Sequence, residues 1–541
     1  MKNKWILLAF LFAVSLTALL PGSSGDALLL QGDEVMHIAT IRESLAHGEY
    51  ILPRLNGEAN YFKPPLLFWL GMASEKVFGT SLLSARLPAI LLASFTVSVL
   101  FLFLLDITKK IRLSFFSSLI YLFTLGNFKF GRLLMMEQGM VFSLLLTTYL
   151  FYKYYKTRKK AFIILSSLTA GVSYLYKGPL FQVYTAILLL SWAGVFLSHF
   201  KFSPFAWKGK RYIRSLVSTL VLFHLIELVP ILAWLSFLVY LKGSGILYYF
   251  FVVENYGKFF SENQNLFRIF SGWIFYAQPI GFALLYFAFY SLKLKIKSRN
   301  SLFARVIINT SFLLTLLHLL PNRKDGYYIL PALPLMFIGT AHFMNYISLE
   351  KIQKVLKWNL LLNIIILSLF SVPIFVFAES LYYKIGIILS IVLSLLFYKI
   401  WKEYYPKNKS LIQFSFVVNI SLFTLSTQFI LLPTLNHPLL PAEVKKQISG
   451  QVCVVSPEPW DAYLFKNSLP GVNVVHAVPQ NLETCKINSQ HILVFRAPEN
   501  LQEISGFKKT FSYEIWKRQI NKEALRSIKT KAFQKVFFFS R

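Results

Sequence analysis

About thirteen apolar segments recur along the chain, most of them long enough to cross a lipid bilayer as a helix. In hydrocarbon, every backbone polar group must be satisfied without water, which restricts such segments to packed helices. Hydrophobic residues make up 55% of the 541 residues and charged residues only 15%, so an ordinary soluble protein is excluded. We therefore predict a polytopic α-helical membrane protein. The predicted helical cores are 5–21, 83–105, 112–128, 138–155, 161–176, 179–199, 215–241, 269–291, 303–320, 328–347, 358–378, 381–400 and 411–433.

Basic residues cluster in alternate connections between these segments. The net charge of +32 would suggest a nucleic-acid partner in a soluble protein, but here its placement marks topology. The positive-inside rule puts the N-terminus and all these clusters in the cytoplasm, and the other polar motifs on the opposite face. We expect membrane lipids, and no nucleic acid, as partners. The clusters are Lys109, Lys110 and Arg112, then 153–160, 201–214, 293–305, 351–357 and 399–409.

The two ends of the chain differ from its middle. Residues 1–20 have a basic start and an apolar run, a pattern also found in cleaved signal peptides, but the many following spans favour a retained anchor. Hydropathy falls near residue 436, which divides a transmembrane domain, 1–435, from a small soluble α/β domain, 436–541. Its strands are predicted at 452–455, 472–478, 491–495 and 536–539.

Both cysteines of the chain, Cys453 and Cys485, fall in this C-terminal domain. The predicted topology places the domain outside the cytoplasmic membrane, where a disulfide persists. Two free buried thiols are an equally open alternative.

The first external loop, 22–82, is the longest polar interval before the C-terminal domain. Asp33 is placed to cap a short amphipathic helix that ends before Gly48. Lys63 precedes two prolines, so it is expected to be extended just ahead of a second amphipathic helix over 66–78. Because both helices follow a span directly, we expect them at the membrane surface.

Polar side chains on the predicted outer face are the candidate functional residues. Each has an ordinary explanation: Asp33 is a preferred helix cap, Glu137 at a bilayer edge is solvated, and Lys177 snorkels to the surface. Taken together, they put two acidic positions and several cations on one face. The remaining candidates are Glu34, Tyr61, Lys63, Arg132, Glu254, Asn255, Lys258, Lys324 and Tyr328.

Sugar transfer from a lipid phosphate is the reaction class that needs this combination. Negative charge grows on the departing phosphate as the glycosidic bond breaks, so fixed cations stabilise the transition state more than the ground state. The acceptor oxygen must lose a proton, which a carboxylate can take. Nucleotide sugars are not expected outside the cytoplasmic membrane, which favours a lipid-linked donor.

An ordered set of motifs covering about 32–334 resembles the type C glycosyltransferases of the bacterial aminoarabinose-transferase group, relatives of the protein mannosyltransferases. The resemblance implies a polyprenyl-phosphate sugar donor, a lipid or glycan acceptor such as lipid A, and inversion at the anomeric carbon. It also implies that Asp33 is the catalytic carboxylate, supported by Glu137, and that Lys63 and Lys177 hold the lipid phosphate. The motifs are DE, IRESLAHGEYILPRLNG, YFKPPLLFWL, RLPA, YKGP, VVENYGKFF and KDGYYILPALP.

From this combination we predict roles for the other candidates. Lys258 and Lys324 join the two motif lysines at the donor phosphate, while the remaining residues line the substrate pocket. These pocket residues are Glu34, Tyr61, Arg132, Glu254, Asn255 and Tyr328.

The chain departs from the family pattern at several of these positions. Glu137 stands where the family usually has Asp, and Lys258 where it often has Arg. Phe62 and Asn255 replace a Glu and a His that serve as metal ligands in the aminoarabinose enzyme. Without that acid–imidazole pair we expect no metal or other cofactor, although a divalent metal stays an open alternative. These differences also argue against aminoarabinose as the sugar.

Two other functions remain open at this stage. A lipid or polysaccharide flippase has no transfer chemistry, but transporters tend to have repeated halves and polar residues near the bilayer midplane. Here no repeat is visible and the polar residues gather at one surface. In a third hypothesis the external domain is the functional part, but it shows no catalytic constellation, so acceptor binding or covering the site fits it better. We therefore expect a glycosyltransferase of the bacterial inner membrane with a periplasmic C-terminal domain.

Overall fold

The computed structural model describes residues 2–25, 33–60, 63–200, 207–259, 264–378, 380–404, 409–435, 439–495, 503–516 and 533–541. Helices dominate up to residue 435. They are α1 Lys2–Leu19, α2 Glu34–His47, α3 Leu66–Phe78, α4 Leu82–Thr108, α5 Ile111–Leu122, α6 Leu125–Phe130, α7 Met136–Thr157, α8 Lys160–Lys177, α9 Leu180–Phe200, α10 Trp207–Lys242, α11 Gly245–Tyr248, α12 Phe267–Phe275, α13 Gly281–Leu292, α14 Arg299–Leu317, α15 Ala332–Met344, α16 Leu349–Phe377, α17 Leu381–Tyr404, α18 Lys409–Ser426 and α19 Leu432–Leu435.

Helices overlap every predicted apolar segment, which confirms a polytopic α-helical membrane protein. The segment 269–291 is divided between α12 and α13, with Pro279 in the break, where a residue without an N–H interrupts helical bonding. In the described residues, seven stretches are long and apolar enough to span a membrane: Leu82–Thr108, Leu180–Ser198, Ile213–Lys242, Arg299–Leu317, Leu349–Phe377, Leu381–Glu403 and Leu411–Leu435. Four apolar helices are shorter: Lys4–Leu19, Ile111–Leu122, Gly281–Leu292 and Ala332–Met344.

Burial separates central from peripheral helices. The most apolar part of α4 and that of α14 are each 61% buried, whereas those of α16 and α17 are only 28% and 17% buried. Large apolar side chains such as Leu225 and Val229 on α10 are 61% exposed in the protein alone. Because lipid covers such side chains at no cost, α10, α16 and α17 form the lipid-facing surface of the bundle.

The loop between α1 and α4 carries the two predicted amphipathic helices. α2 ends at Gly48, whose φ of +69° suits a glycine cap, and its N–H bonds to the carbonyl of Leu45. α3 covers the predicted range and follows Pro65. Two short antiparallel strands, β1 Arg54–Leu55 and β2 Glu58–Ala59, lie between the helices. This loop positions Asp33 and Lys63.

A five-stranded sheet forms the C-terminal region, in the order β4–β3–β5–β7–β6. β3 pairs in parallel with β4 and β5, while β7 is antiparallel to β5 and β6. Four of the strands were predicted, and β6 was missed. The predicted domain boundary at residue 436 lies outside the described residues and stays a prediction. The elements are α20 Ala442–Gln447, β3 Gln451–Val455, α21 Pro459–Ser468, β4 Asn473–Ala477, α22 Leu482–Asn488, β5 His491–Phe495, β6 Lys508–Trp516 and β7 Phe533–Ser540.

Cys453 on β3 and Cys485 on α22 are joined in a disulfide, with their Cα atoms 5.5 Å apart. The alternative of two free thiols therefore does not describe this structure. The bond connects the sheet to the helix that covers it, inside a small apolar cluster.

The C-terminal region also packs against the helix that follows Asp33. Asn467 of α21 donates from Nδ2 to the carbonyl of Val35, at 3.0 Å. Arg42 of α2 donates from Nη1 to the carbonyl of Asn467 and from Nε to Glu75, at 3.0 and 3.1 Å. α2 is therefore held between α3 and helix α21 of the C-terminal region, which sets the orientation of its N-terminus.

Candidate active site

Asp33 occupies the residue position from which an Asp side chain often caps a helix. Within the described α2, its carboxylate makes no capping hydrogen bond, so capping does not account for this residue. The side chain is 34% exposed, and its Oδ1 lies 3.9 Å from Nη2 of Arg323. An acid that is neither capping nor fully paired is available for another contact.

The electrostatic environment keeps Asp33 ionised. Burial by itself raises the pKa of the carboxyl group, but the surrounding positive groups act in the other direction and prevail. The pKa of Asp33 therefore lies below its ordinary value. His37 lowers it when its ring is protonated, and the permanent cations Lys63, Arg323 and Lys177 lower it at neutral pH as well. At neutral pH Asp33 is an acceptor-only carboxylate inside a cationic pocket.

The two lysine motifs lie close together where α8 ends. Lys63 precedes Pro64 in the turn before α3, and Lys177 is the last residue of α8. Gly178 follows with a φ of +65°, a conformation that residues with side chains rarely adopt. A Cβ there would lie 2.9 Å from the ring of Phe250 and 3.9 Å from Pro64. Glycine is therefore required here by the positive φ and by the ring of Phe250, while Pro64 lies at ordinary van der Waals distance.

Glu137 and Lys177 form an ion pair at the inner side of this pocket. Glu137 lies in the first turn of α7 and is 4% exposed, so solvation does not explain it. Its Oε1 accepts from the ammonium of Lys177, which also lies 4.9 Å from the ring centroid of Tyr328. Lys177 is 22% exposed and directed into the protein rather than snorkelling to the membrane surface.

Tyr328 is supported from behind by two buried side chains. The rings of Tyr328 and His318 lie 4.9 Å apart, and Nε2 of His318 is 2.6 Å from the hydroxyl of Tyr184. This packing fixes the aromatic surface over which Lys177 lies.

The loop after α14 contributes a different cation from the one predicted. We predicted Lys324 at the donor phosphate, but its side chain is 2% exposed and its ammonium donates to the carbonyl of Asn322 at 3.4 Å. Arg323 instead approaches Asp33. Nε of Arg323 also lies 3.2 Å from Oδ2 of Asp325, so these two side chains share one side of the loop, while the buried side chain of Lys324 takes the other.

Asp325 holds that arginine in place. Its Oδ2 accepts from Nε of Arg323 at 3.2 Å and from the hydroxyl of Tyr327 at 3.1 Å. Its Oδ1 accepts from Nη2 of Arg268 at 3.1 Å. The sequence analysis missed both Arg323 and Asp325, although their alternation with Lys324 in NRKD was a usable signal.

Glu34 does not line an open pocket as predicted. It is fully buried and forms a two-point ion pair with Arg86, whose Nε and Nη2 donate to its two oxygens at 2.8 and 2.9 Å. The backbone N–H of Leu134 also donates to Glu34, at 2.8 Å. Arg86 donates further to the carbonyls of Ser23 and Gly25, at 2.6 and 2.7 Å. All these groups are satisfied by each other, so this cluster joins α1, α2, α4 and the start of α7.

Arg132, also predicted for the pocket, is likewise buried in the protein interior. It is 3% exposed and donates from Nη2 to the carbonyl of Pro21, at 2.5 Å. Its guanidinium carbon lies 4.8 Å from the ring centroid of Phe429 and 5.5 Å from that of Phe128. This arginine anchors the chain after α1 and does not approach Asp33.

His37 is a further polar residue that the sequence analysis missed. It lies one helical turn after Asp33, and its Nδ1 is 2.8 Å from the carbonyl of Leu134. Burial lowers the pKa of His37, which keeps the ring neutral near pH 7. Because a carbonyl only accepts, Nδ1 carries the proton and Nε2 has a lone pair; Nε2 finds no hydrogen-bond partner among the described residues.

Four predicted site residues cannot be placed. Tyr61 lies outside the described residues, as does Phe62, and the side chains of Glu254, Asn255 and Lys258 are likewise outside them. In the part of the chain that the structure describes, no three His, Cys, Asp or Glu side chains group to hold a metal ion. Since the metal-ligand positions of the family fall on undescribed side chains, the expectation of no metal stays a prediction.

Sequence comparisons find relatives for much of the chain. A family model described as dolichyl-phosphate-mannose-protein mannosyltransferase matches residues 4–244. A protein of Aquifex aeolicus (strain VF5), described only as uncharacterized, is 27% identical over 394 residues, 72% of each chain. An undecaprenyl phosphate-alpha-4-amino-4-deoxy-L-arabinose arabinosyl transferase 1 of Sodalis glossinidius is 27% identical over 270 residues, 48% of this chain and 44% of that protein. The chain thus matches under half of that transferase's length.

The fold comparison extends over the whole chain. A crystal structure of ArnT from Cupriavidus metallidurans bound to undecaprenyl phosphate has a TM-score of 0.72 and 14% identity, covering 99% of this chain and 98% of that one. The apo structure of the same protein has a TM-score of 0.70. At this identity the likeness shows a common fold. The family match over residues 4–244 and the related transferase sequences agree with that fold, and together they support a type C membrane glycosyltransferase similar to the aminoarabinose transferases and protein mannosyltransferases.

Proposed function

We propose that this enzyme moves a sugar from a polyprenyl-phosphate donor to an acceptor of the cell envelope, on the outer face of the bacterial inner membrane. One observation carries the proposal: the uncapped carboxylate of Asp33 lies ionised beside Arg323, with Lys63 and Lys177 contributing to the same positive field. The undecaprenyl phosphate named for the related ArnT structure supports a donor of this class.

The cations suit a phosphate leaving group. As the bond between the anomeric carbon and the phosphate oxygen breaks, its electron pair stays with the phosphate and increases the negative charge there. Fixed cations in a partly dry site stabilise that charge without having to reorganise. Lys63, Lys177 and Arg323 fill this role, while Glu137 acts through Lys177 as a positioning residue. The ring of Tyr328 contacts the same ammonium group of Lys177.

Asp33 is the base for the acceptor. The acceptor hydroxyl oxygen bonds to the anomeric carbon from the face opposite the phosphate, so the configuration inverts. The hydroxyl proton becomes acidic as this bond forms, and it passes to Asp33. A carboxylate with a low pKa can accept it at that stage and release it to water after the product leaves.

The acceptor is proposed to be lipid A or another envelope glycolipid. The disulfide in the C-terminal region supports a periplasmic location, since such bonds persist outside the cytoplasm. That region packs on α2 through Asn467, so it keeps the base in place and covers the site from outside. Glu254, Asn255 and Tyr61 remain proposed contributors to the substrate pocket, and Lys258 remains a proposed cation at the donor phosphate.

Product analysis tests the proposal. Envelope lipids from a deletion strain would be compared by mass spectrometry with those from strains carrying the wild type, Asp33→Asn or Glu58→Gln. Glu58 is an exposed acid of the same external loop and serves as the matched control. We expect a sugar-bearing species that the wild type and E58Q restore and D33N does not; restoration by D33N would refute the role of Asp33.

A second assay separates transfer from flipping. The purified enzyme in detergent has no bilayer across which to move a lipid. Formation of the glycosylated product under these conditions, from donor lipid extracted from the same cells, is expected of a transferase. A protein that only translocates the donor would give no product.

A further inference from the structure

A cavity of about 650 Å³ lies between α13 and the first turns of α16, on the lipid-facing side of the bundle. Helix α15 runs from the active site toward this cavity: it begins just after Tyr328 and ends at Met344, a short turn before Ser348. A helix of 13 residues is about 20 Å long. The entrance of the cavity near Ser348 is therefore at the opposite membrane face from Asp33, the face that carries the basic loops.

The lining of the cavity changes from polar to apolar along its length. Ser348, Lys351 and Lys354 line one end, whereas Leu362 and Phe282 line the other. From Ser348 to Leu362 the helix rises by about 20 Å at ~1.5 Å per residue. This length and gradient match a phospholipid, which has a charged headgroup at the surface and an acyl chain directed into the membrane.

The polar end carries positive charge. Neither Lys351 nor Lys354 forms an ion pair with a described residue, and the ammonium of Lys351 lies 3.8 Å from the ring centroid of Tyr290. The end also coincides with the N-terminus of α16, a helix of 29 residues, whose dipole favours an anion although Ser348 already caps the N–H of Lys351. Glu350 is the one acidic side chain in the lining, so the lysines exceed it in charge.

The cavity opens toward acyl chains rather than toward the protein interior. Phe282, Tyr286 and Trp358 in its wall are 43%, 41% and 62% exposed in the protein alone. On the surface of a membrane-spanning helix, lipid is the medium that covers such rings, and Tyr and Trp are typical of the headgroup region.

We propose that this cavity binds one anionic phospholipid of the cytoplasmic leaflet. The lipid phosphate lies between Lys351, Lys354 and the N-terminus of α16, and one acyl chain follows the wall formed by Leu362 and Phe282. A free phosphate would leave the apolar end without a function, and a zwitterionic lipid would not require two lysines. The site is separate from the donor site, and the proposal does not depend on which sugar is transferred.

Lipid titration of the full-length, delipidated protein tests the site. Native mass spectrometry would follow binding of phosphatidylglycerol, phosphatidylcholine of the same chain length, and inorganic phosphate. The variants are K351Q/K354Q, F282A and the control K402Q, which removes an exposed lysine of the same face outside the cavity. Each lysine near a membrane surface contributes about a fivefold factor in affinity for an anionic lipid. We expect phosphatidylglycerol to bind roughly 20- to 30-fold more weakly to K351Q/K354Q.

The other arms identify the ligand and exclude misfolding. The wild type and K402Q should bind all three ligands alike. F282A should bind phosphatidylglycerol more weakly but inorganic phosphate as the wild type does. If K351Q/K354Q is folded, it should still bind undecaprenyl phosphate at the donor site. The proposal is overturned if K351Q/K354Q binds phosphatidylglycerol as the wild type does. It is equally overturned if phosphatidylcholine binds the wild type as tightly, or if inorganic phosphate alone saturates the site with the same affinity. Should K351Q/K354Q fail to fold, the single variant K354Q, expected to be about fivefold weaker, decides the question.

Discussion

Asp33 and Glu34 are adjacent acids with opposite environments. Glu34 has no exposed surface, and each of its oxygens accepts at normal hydrogen-bond distance. The side chain of Asp33 is 34% exposed, and its Oδ1 lies 3.9 Å from Nη2 of Arg323. Both regions therefore combine a carboxylate with cations. Around Arg86 the groups form a closed cluster with short hydrogen bonds, whereas around Asp33 they form an open pocket with a longer distance between the acid and Arg323.

This difference separates stability from catalysis. Loss of either partner of a buried ion pair destabilises the fold, and a pair with complete hydrogen bonding has no donor or acceptor left for a substrate. A carboxylate surrounded by cations at longer distance stays ionised and leaves room for a phosphate and an acceptor hydroxyl. Substitutions in the Arg86 cluster and in the Asp33 pocket should therefore have different effects.

The largest effect on turnover is expected for Asp33→Asn. Loss of the base should lower the transfer rate by about 10²–10⁴-fold, while thermal unfolding in detergent stays close to that of the wild type. The check is a single-turnover assay with purified protein alongside a melting curve. A variant that retains more than a tenth of the wild-type rate would contradict the assignment.

The largest effect on stability is expected for Glu34→Gln. Arg86 would then be a buried charge without a counterion, at a cost of about 3–5 kcal/mol in the free energy of unfolding. The double variant E34Q/R86M removes both charges and should recover part of that loss. Detergent-solubilised yield and melting temperature measure the effect; equal stability of E34Q and the wild type would show that the cluster is not structural.

Lys177→Met acts on both regions, because it removes a donor-site cation and leaves Glu137 buried without its partner. We expect kcat/KM for the donor to fall by about 10²–10³-fold. The double variant K177M/E137Q should fold as well as the wild type yet remain poor with the donor. Recovery of donor use in the double variant would mean that Lys177 serves only to pair Glu137.

The smallest effect concerns pH. The cations hold the pKa of Asp33 below its ordinary value, so activity is lost only when the pH falls through that lowered pKa. The associated stabilisation is likewise present at neutral pH and disappears over the same acidic range. Arg323→Gln removes one cation and raises the pKa, so the acid limb of the pH–rate profile should move to higher pH. The control K76Q, on the exposed side of α3, should leave the profile unchanged.

Much of the fold follows from local patterns. Apolar runs determine where helices span, and the predicted range of α3 and the glycine end of α2 agree with the structure. β6 was missed because its sequence, KKTFSYEIW, carries two lysines at its start and a glutamate within, and it pairs only with β7 at the sheet edge. Edge strands bury less, so their apolar signal is weak.

The site was harder to predict than the fold. Lys63 and Lys177 lie close enough to Asp33 to lower its pKa, and Lys177 pairs with Glu137, while the roles of these four residues stay predictions. Lys324 and Glu34 were expected in the pocket, but each side chain is turned into the protein. Charge and position in a motif are visible in a sequence, whereas the direction of a side chain depends on the backbone of its loop and on partners such as Arg86, 52 residues away.

The amino-acid sequence by itself determined the membrane class and the order of the helices, since these depend on hydropathy along the chain; the outer face of the polar motifs stays a prediction from the placement of charge. Only the tertiary structure decided which carboxylate is open and which is closed, and that Arg323 rather than Lys324 stands beside Asp33. Those choices depend on distances between residues far apart in the chain. Electrostatic interactions depend on distance and burial, which only the packed helices define.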